Sequence, residues 1–578
     1  MFVFLGLLVQ YSLILVELVL VLWAARLSRI SPDRGRKWFE RVEACGRRLA
    51  RRPALAIAAV ALCALAGRAA LAPVLPLREP RVTDEFSYLL AADTFASGRL
   101  SNAPHPMWQH FESMHIFQQP TYSSMYQPAQ GLILAAGERL AGHPWIGVYL
   151  SVGLMCAAVC WMLQGWLPPA WALLGGILIV MRLALFSYWI NSYWGGAAAA
   201  IGGALVLGAL PRFMRRQQAR YALIMGLGAA ILAASRPYEG GLTCLGVGVV
   251  LLTWMFGKGG PRLRVALPRF FAPMLLVLTL TAGALGFYNF RVTGSPLKYP
   301  EQAQRVPYAM APIFLWESPG PKPAYRHKPM AEFYAGWEME IVPELSSAAG
   351  LLWNAAKKLA AGWVFFLGPA LTIPLIFFPS IVRDRRTRML LIVGLLPLAA
   401  MGIDAWFYAH YAAPVTALIF AIVVQGMRHL RVWRRSSRQG LLLARAIPAI
   451  CLAMIVVRVA AQPARIFLPP DQPATMFNTS EGNVERARML TKLSATEGLH
   501  LVIVRYGPAH RSVMNEWVYN RADIDGAKVV WAREMDAANN RELIQYFSGR
   551  RVWLVEADEA PPRLSPYVSG DLLQFGGS

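Results

Sequence analysis

Residues 54–100 read ALAIAAVALCALAGRAALAPVLPLREPRVTDEFSYLLAADTFASGRL. The apolar part, 54–77, is long enough to cross a hydrocarbon core about 30 Å thick, which takes roughly 20 helical residues. Just past its end stand two adjacent carboxylates, Asp84 and Glu85. Charge near the hydrocarbon is costly and in polytopic chains usually marks a site. A plainer reading stands beside this one: an acidic pair opening the helix FSYLLAADTF is favoured by the helix dipole. On a helix, adjacent side chains point about 100° apart, so the two carboxylates cannot share one task. One is expected to face a substrate while the other orients, binds a metal or pairs with a base.

Working outward, the whole chain has the texture of a membrane protein: 56% of it is hydrophobic and its mean hydropathy is +0.39. Apolar runs recur near 2–25, 54–77, 145–166, 169–190, 194–211, 221–236, 240–257, 268–289, 360–381, 388–404, 412–427 and 440–460. The sequence thus predicts a polytopic α-helical membrane protein of about twelve transmembrane helices with both termini outside. Its formal charge of +24 falls in short clusters between those runs: 26–53, Arg212 to Arg220, Lys258 to Arg269, Arg383 to Arg388 and Arg428 to Arg438. That pattern is the positive-inside signature of cytoplasmic loops and argues against a nucleic-acid partner. The first run has no basic region ahead of it and no small-residue cleavage site, so it is expected to be a retained anchor.

Three divisions follow: an anchor helix and basic cytoplasmic segment (1–53), a transmembrane domain (54–460) with external loops 78–144 and 290–355, and an external domain (465–578). Short apolar runs at 499–506, 528–534 and 550–558 alternate with amphipathic segments at 481–496 and in NRELIQYFSG, predicting a small α/β domain with a largely parallel sheet. No nucleotide fingerprint opens its helices, and Gly257-Lys258-Gly259-Gly260 lacks the spacing of a phosphate-binding loop. Cys45 lies in the basic segment and the other five cysteines lie in apolar runs, so disulfides are not expected to hold the external regions. The sequon Asn478-Thr479-Ser480 is external but short.

The first external loop continues HPMWQHFESMHIFQQPTYSSMYQPAQGLILAAGERLAG. His110, Glu112 and His115 are candidates to gather around a divalent cation, although their spacing matches no strong metal signature and hydrogen-bonding roles serve equally. The apolar segment 129–142 is too short to span and is expected to lie at the interface or re-enter.

Asp-Glu followed by Phe-x-Tyr and Gly-Arg-Leu, then Tyr126-Gln127-Pro128-Ala129 leading into QGLILAAG, resembles the first external loop of the GT-C glycosyltransferases. That superfamily includes the protein O-mannosyltransferases and the lipid A aminoarabinose transferase. The resemblance covers roughly residues 54–430 in layout. This chain has Tyr-Gln-Pro-Ala where many relatives carry Tyr-Pro-Pro-Gly, an extra helix ahead of the usual first one, and the α/β tail. The resemblance implies a polyprenyl-phosphate-linked sugar donor, Asp84 at the position of the catalytic base, and Glu85 as its supporting carboxylate.

A leaving phosphate gathers negative charge and calls for preorganised cations. The candidates at external span ends are Arg236, Arg291, Lys298 and His410. Arg236 is the strongest, with a planar fork suited to phosphate, and its alternative is an ion pair with Glu239 that holds a turn. Tyr126, Tyr238 and Glu239, with Tyr193, Trp194 and Asn191 of YWINSYWGG, are candidates for a substrate or lipid groove, although aromatic residues concentrate at membrane interfaces regardless of function.

The function expected from this resemblance is inverting transfer of a sugar to a lipid, glycan or protein acceptor on the periplasmic face of a bacterial inner membrane, with no certain cofactor beyond a possible divalent metal ion. A lipid or solute transporter, or a non-catalytic envelope assembly protein, stands as the alternative. A transporter would place its polar groups near the bilayer centre, whereas the best candidates here fall on one side.

Overall fold

The computed structural model describes residues 2–257, 260–434, 438–461, 482–510 and 515–567, so the sequon at 478–480 lies outside the described residues. Among these residues seven helices are long and apolar enough to cross a membrane: Pro53–Ala70, Trp145–Trp166, Ala197–Arg216, Pro237–Met255, Leu263–Thr293, Ala409–Val432 and Gln439–Ala461. An eighth span results if the bent pair Ala348–Phe366 and Gly368–Arg383 is counted as one. Twelve is not reached by this measure, because Pro169–Leu183, Ala219–Ala233 and Thr387–Ile403 are apolar but short. At 1.5 Å per residue, a helix of 15 residues is about 22 Å long. Hydropathy had run one of these spans on to residue 190; the chain instead leaves the helix at Leu183 and folds residues 184–196 around a single turn, Tyr188–Asn191.

The bent pair turns by 100° at Gly368, whose φ of 63° suits glycine. A Cβ there would meet an Arg182 guanidinium nitrogen at 2.7 Å. Breaking a helix inside a membrane frees backbone groups that must find partners. Arg182 donates from Nε to Phe365 O at 3.2 Å, and Glu17 of the first helix accepts the Ala370 N–H at 3.0 Å. Glu17 and Arg182 are themselves ion-paired at 3.6 Å and buried, so these charges are used to mend the break.

The basic clusters converge at one end of the helical body. Glu43 pairs with both Arg431 and Arg445, Asp33 with Arg438, and Gln425 donates to Asp384. At the opposite end lies the helix Thr83–Ala96, packed on the short helix Pro128–Ala141. The packing is close because of Gly131, where a Cβ would stand 2.7 Å from Ala91 Cβ.

The C-terminal residues form the expected α/β domain. Its four-stranded sheet has the order Val529–Arg533, Leu499–Arg505, Arg550–Glu556, Arg563–Pro566; the first three strands are parallel and the last is antiparallel. The β-branched runs that make its interior strands also reach outward, since Leu501, Ile503, Val530 and Leu554 share one apolar core with Phe86, Leu90, Phe111 and Tyr122 of the first loop. The domain is therefore fused to the loop that carries the acidic pair.

Candidate active site

The two carboxylates divide as helix geometry requires. Glu85, three residues into its helix, turns inward and is buried. Its Oε2 accepts the N–H groups of Arg81 at 2.9 Å and Val82 at 3.1 Å, and its Oε1 accepts the Tyr193 N–H at 3.1 Å. Burial pushes its pKa upward against the pull of these three N–H groups. Glu85 thus closes the helix start and ties it to the segment at 188–196.

Asp84 turns the other way, its side chain 20% exposed. Tyr126 donates its hydroxyl to Asp84 Oδ1. Oδ2 has only long contacts, 3.4 Å to Thr83 Oγ1 and 3.8 Å to His115 Nδ1. Tyr126 is fixed in turn: it stacks on Tyr88 with centroids 4.4 Å apart, its carbonyl accepts the Tyr288 hydroxyl at 2.9 Å, and its N–H goes to Ser124 Oγ at 3.1 Å. His115 Nδ1 lies 3.1 Å from both Thr83 Oγ1 and the Tyr126 hydroxyl. Burial lowers the pKa of His115 despite the raising effect of Asp84, which keeps the imidazole neutral beside the carboxylate. Asp84 is therefore oriented by a phenol and carries no permanent cation partner among the described residues.

Arg236 shares this neighbourhood, since it and Asp84 both act electrostatically on Tyr88 and on Glu301. It is ion-paired with Glu239 and its guanidinium lies 3.9 Å over the Tyr411 ring, yet its Nε is buried with no hydrogen-bond partner. The buried hydroxyl of Tyr299, also within its field, has none either. These are two unspent donors on one wall. Glu301 is reached by solvent, while crowding on its other sides pushes its carboxyl upward. Arg305 and Glu338 form an ion pair at 3.0 Å beyond it.

The sequence had not singled out Glu301, Tyr299, Arg305 or Glu338, because they lie more than 200 residues from Asp84 in an irregular loop. The only signal was the density of charge and tyrosine in 299–308.

Other candidates fall elsewhere. His110, Glu112 and His115 do not converge. His110 Nδ1 lies 2.9 Å from Arg533 O, Glu112 takes the Tyr308 hydroxyl at 2.7 Å and sits 3.6 Å from His327, and His115 belongs to Asp84. Alternating directions along an irregular stretch separate them, and no three His, Cys, Asp or Glu among the described residues are placed to hold one ion.

Asn191 is buried and accepts from Arg68 Nε at 3.0 Å. Tyr193 is latched through its backbone to Glu85 and to Gln130. Trp194 and His410 pack together, centroids 5.0 Å apart, and His410 Nδ1 lies 2.9 Å from the Tyr188 hydroxyl. The aromatic group next reaches Arg236 through Tyr411. Tyr238 packs on Phe314. Arg291 and Lys298 are exposed; their carbonyls accept Ser101 and Thr293 hydroxyls, and their side chains make no bond to the Asp84 cluster.

The C-terminal domain reaches the same site from behind. Arg533 is buried, ion-paired with Glu516 at 2.6 Å, and donates from Nε to Glu112 O at 2.7 Å. Ser113 donates to Val518 O and Arg521 pairs with Asp93 at 2.8 Å.

No family model and no curated protein matches this chain. Among solved structures, the chain is similar to the apo oligosaccharyltransferase of Archaeoglobus fulgidus, at 12% identity over 87% of this chain and 69% of that one, with a TM-score of 0.47. It is also similar to ArnT from Cupriavidus metallidurans in the apo state, at 12% identity over 87% of this chain and 92% of that one, with a TM-score of 0.49. ArnT bound to undecaprenyl phosphate gives 12% identity, 86% and 92% coverage and a TM-score of 0.44.

Proposed function

We propose that this protein is a membrane glycosyltransferase of GT-C type that moves a sugar from a polyprenyl-phosphate donor to an acceptor hydroxyl, with inversion, on the face opposite the basic clusters. The observation that carries this reading is the state of Asp84: a partly exposed carboxylate with one oxygen held by Tyr126 and the other, Oδ2, in long contacts only. It stands in the first-loop motif that resembles the GT-C transferases.

In the proposed reaction the acceptor O–H gives its proton to Asp84 Oδ2 as its oxygen bonds to the anomeric carbon. The bond from that carbon to the phosphate oxygen breaks, and its electron pair leaves with the phosphate. A single displacement of this kind inverts the centre. General-base assistance contributes about 10²–10⁴ in rate. Arg236 and the Tyr299 hydroxyl supply donors toward the leaving phosphate, where charge develops. Glu85, Tyr126 and His115 position the base.

The orientation follows the basic clusters, which would face the cytoplasm and leave Asp84 and the C-terminal domain in the periplasm. The sugar is left to experiment: radiolabel transfer from a mixed polyprenyl-phosphate sugar pool to membrane acceptors, wild type against D84N in matched folded preparations. Loss in D84N alone supports the reading, and equal labelling by both removes Asp84 from the chemistry.

A further inference from the structure

At the basic end of the helical body, far from Asp84, a cavity of about 390 Å³ opens between span ends. It is lined by Trp166, Asp384, Arg385, Thr387, Gln425 and Arg428, among others. These residues come from three helices: Trp166 closes one, Asp384, Arg385 and Thr387 stand at the start of another, and Gln425 and Arg428 lie near the end of a third; Pro168, just ahead of the helix that begins at Pro169, completes the lining. The cavity thus sits where the hydrocarbon gives way to headgroups, and Trp166 marks that level.

Charge is not distributed evenly at this end. Arg431, Arg445 and Arg438 are neutralised by Glu43 and Asp33. Arg385 and Arg428, the two cations of the cavity, have no carboxylate partner among the described residues. Arg428 spends one N–H on Gln425 Oε1 at 2.7 Å and keeps the rest of its fork. Asp384, the one acidic lining residue, is engaged by the Thr387 N–H at 3.4 Å and the Gln425 amide at 3.1 Å. The same amide that draws Asp384 back orients Arg428, so the network presents two guanidinium groups and holds the carboxylate aside. A planar fork donating two bonds is matched to phosphate oxygens, and basic pockets between transmembrane helices at the cytoplasmic headgroup level suit anionic lipid.

We infer that this cavity binds the phosphate of an anionic phospholipid headgroup, with Arg385 and Arg428 as its ligands. This site is independent of the glycosyltransferase reading and survives its failure. Free phosphate offers the same chemistry, so the test separates the two. Full-length protein is placed in phosphatidylcholine nanodiscs with and without phosphatidylglycerol, and thermal unfolding and retained lipid by native mass spectrometry are read. A ligand bound only by the folded state raises the unfolding midpoint.

Phosphatidylglycerol is expected to stabilise the wild type and to be retained. Retention in R385Q and R428Q should fall about tenfold for each arginine, the worth of a charge-assisted bond. The charge-matched R264Q/R269Q variant, altered on exposed residues, should retain lipid as the wild type does. Stabilisation by millimolar inorganic phosphate alone, without lipid retention, reassigns the site to a soluble anion. No phosphatidylglycerol effect on the wild type, or equal losses in both double variants, overturns the inference. The wild-type titration decides the question even if R385Q/R428Q does not fold.

Discussion

Phe86 stacks on Tyr519 with ring centroids 4.0 Å apart and planes 6° from parallel. One ring follows the acidic pair directly in sequence and the other belongs to the C-terminal domain, 433 positions later. Stacked aromatic pairs contribute about 0.5–1.5 kcal/mol beyond their buried area. A double-mutant cycle with F86L and Y519L should return a coupling in that range. The Tyr519 hydroxyl is buried without a partner, so Y519F should unfold no earlier than the wild type. A large loss of stability in Y519F would mean that the hydroxyl is bonded.

Asp84→Asn should abolish transfer by about 10²–10⁴-fold with the thermal midpoint unchanged, because only one oxygen of Asp84 is used in the fold. Tyr126→Phe keeps the ring stack on Tyr88 and loses the bond to Oδ1 together with the contact to His115 Nδ1. It should slow transfer about tenfold, the worth of one charge-assisted hydrogen bond, and raise KM little. Steady-state kinetics on the two variants separates base from positioner.

Glu85→Gln should behave in the opposite manner. The amide keeps one acceptor oxygen but turns its NH₂ toward backbone N–H donors, costing about 1–3 kcal/mol for the group left unsatisfied. A lowered thermal midpoint is expected alongside lost activity. Lost activity at full stability would place Glu85 in the chemistry.

Arg236→Lys preserves charge but not the fork, the contact with Tyr411 or the free Nε. Transfer should fall about 10–100-fold, more than a merely electrostatic role predicts. Activity within twofold of wild type would leave Arg236 as the partner of Glu239 alone.

Asp404 supplies a pH signature. It is buried, accepts the Trp406 N–H at 3.0 Å, and burial lifts its pKa to about 7. Its folded pKa lies above the unfolded value of about 3.9, so the folded state holds the proton more tightly in the window between them. The stability it contributes is complete below the unfolded pKa and is lost as pH rises through about 7, with a slope of up to about 1.4 kcal/mol per pH unit. Thermal midpoints from pH 4 to pH 8 should fall more steeply for wild type than for D404N. Parallel curves would refute the assignment.

Much of the helical body was legible in the sequence because a run of apolar residues has one stable fate in lipid. The opposite facing of Asp84 and Glu85 was legible too, since it follows from the turn of a helix. What escaped was set by contacts distant along the chain. The break at Gly368 depends on Glu17 and Arg182, which no local pattern connects. The shortness of Pro169–Leu183 depends on aromatic packing that hydropathy counts as more span. His115 stands close to His110 and Glu112 in sequence, but its partners in the fold are Tyr126 and Thr83. Glu301 and Tyr299 reach the site through a loop with no periodicity to read.

The fusion of the C-terminal domain to the first loop has a consequence for how the protein comes into being. Phe86, Phe111 and the carbonyl of Glu112 are made more than 400 residues before the side chains that cover and bond them, Tyr519, Phe547 and Arg533. Until synthesis has passed residue 547, the Asp84 loop has no complete back wall. A nascent chain would therefore lack this wall in the membrane, and premature termination before residue 519 would leave an exposed apolar flank on the first loop, a ready substrate for quality-control proteolysis.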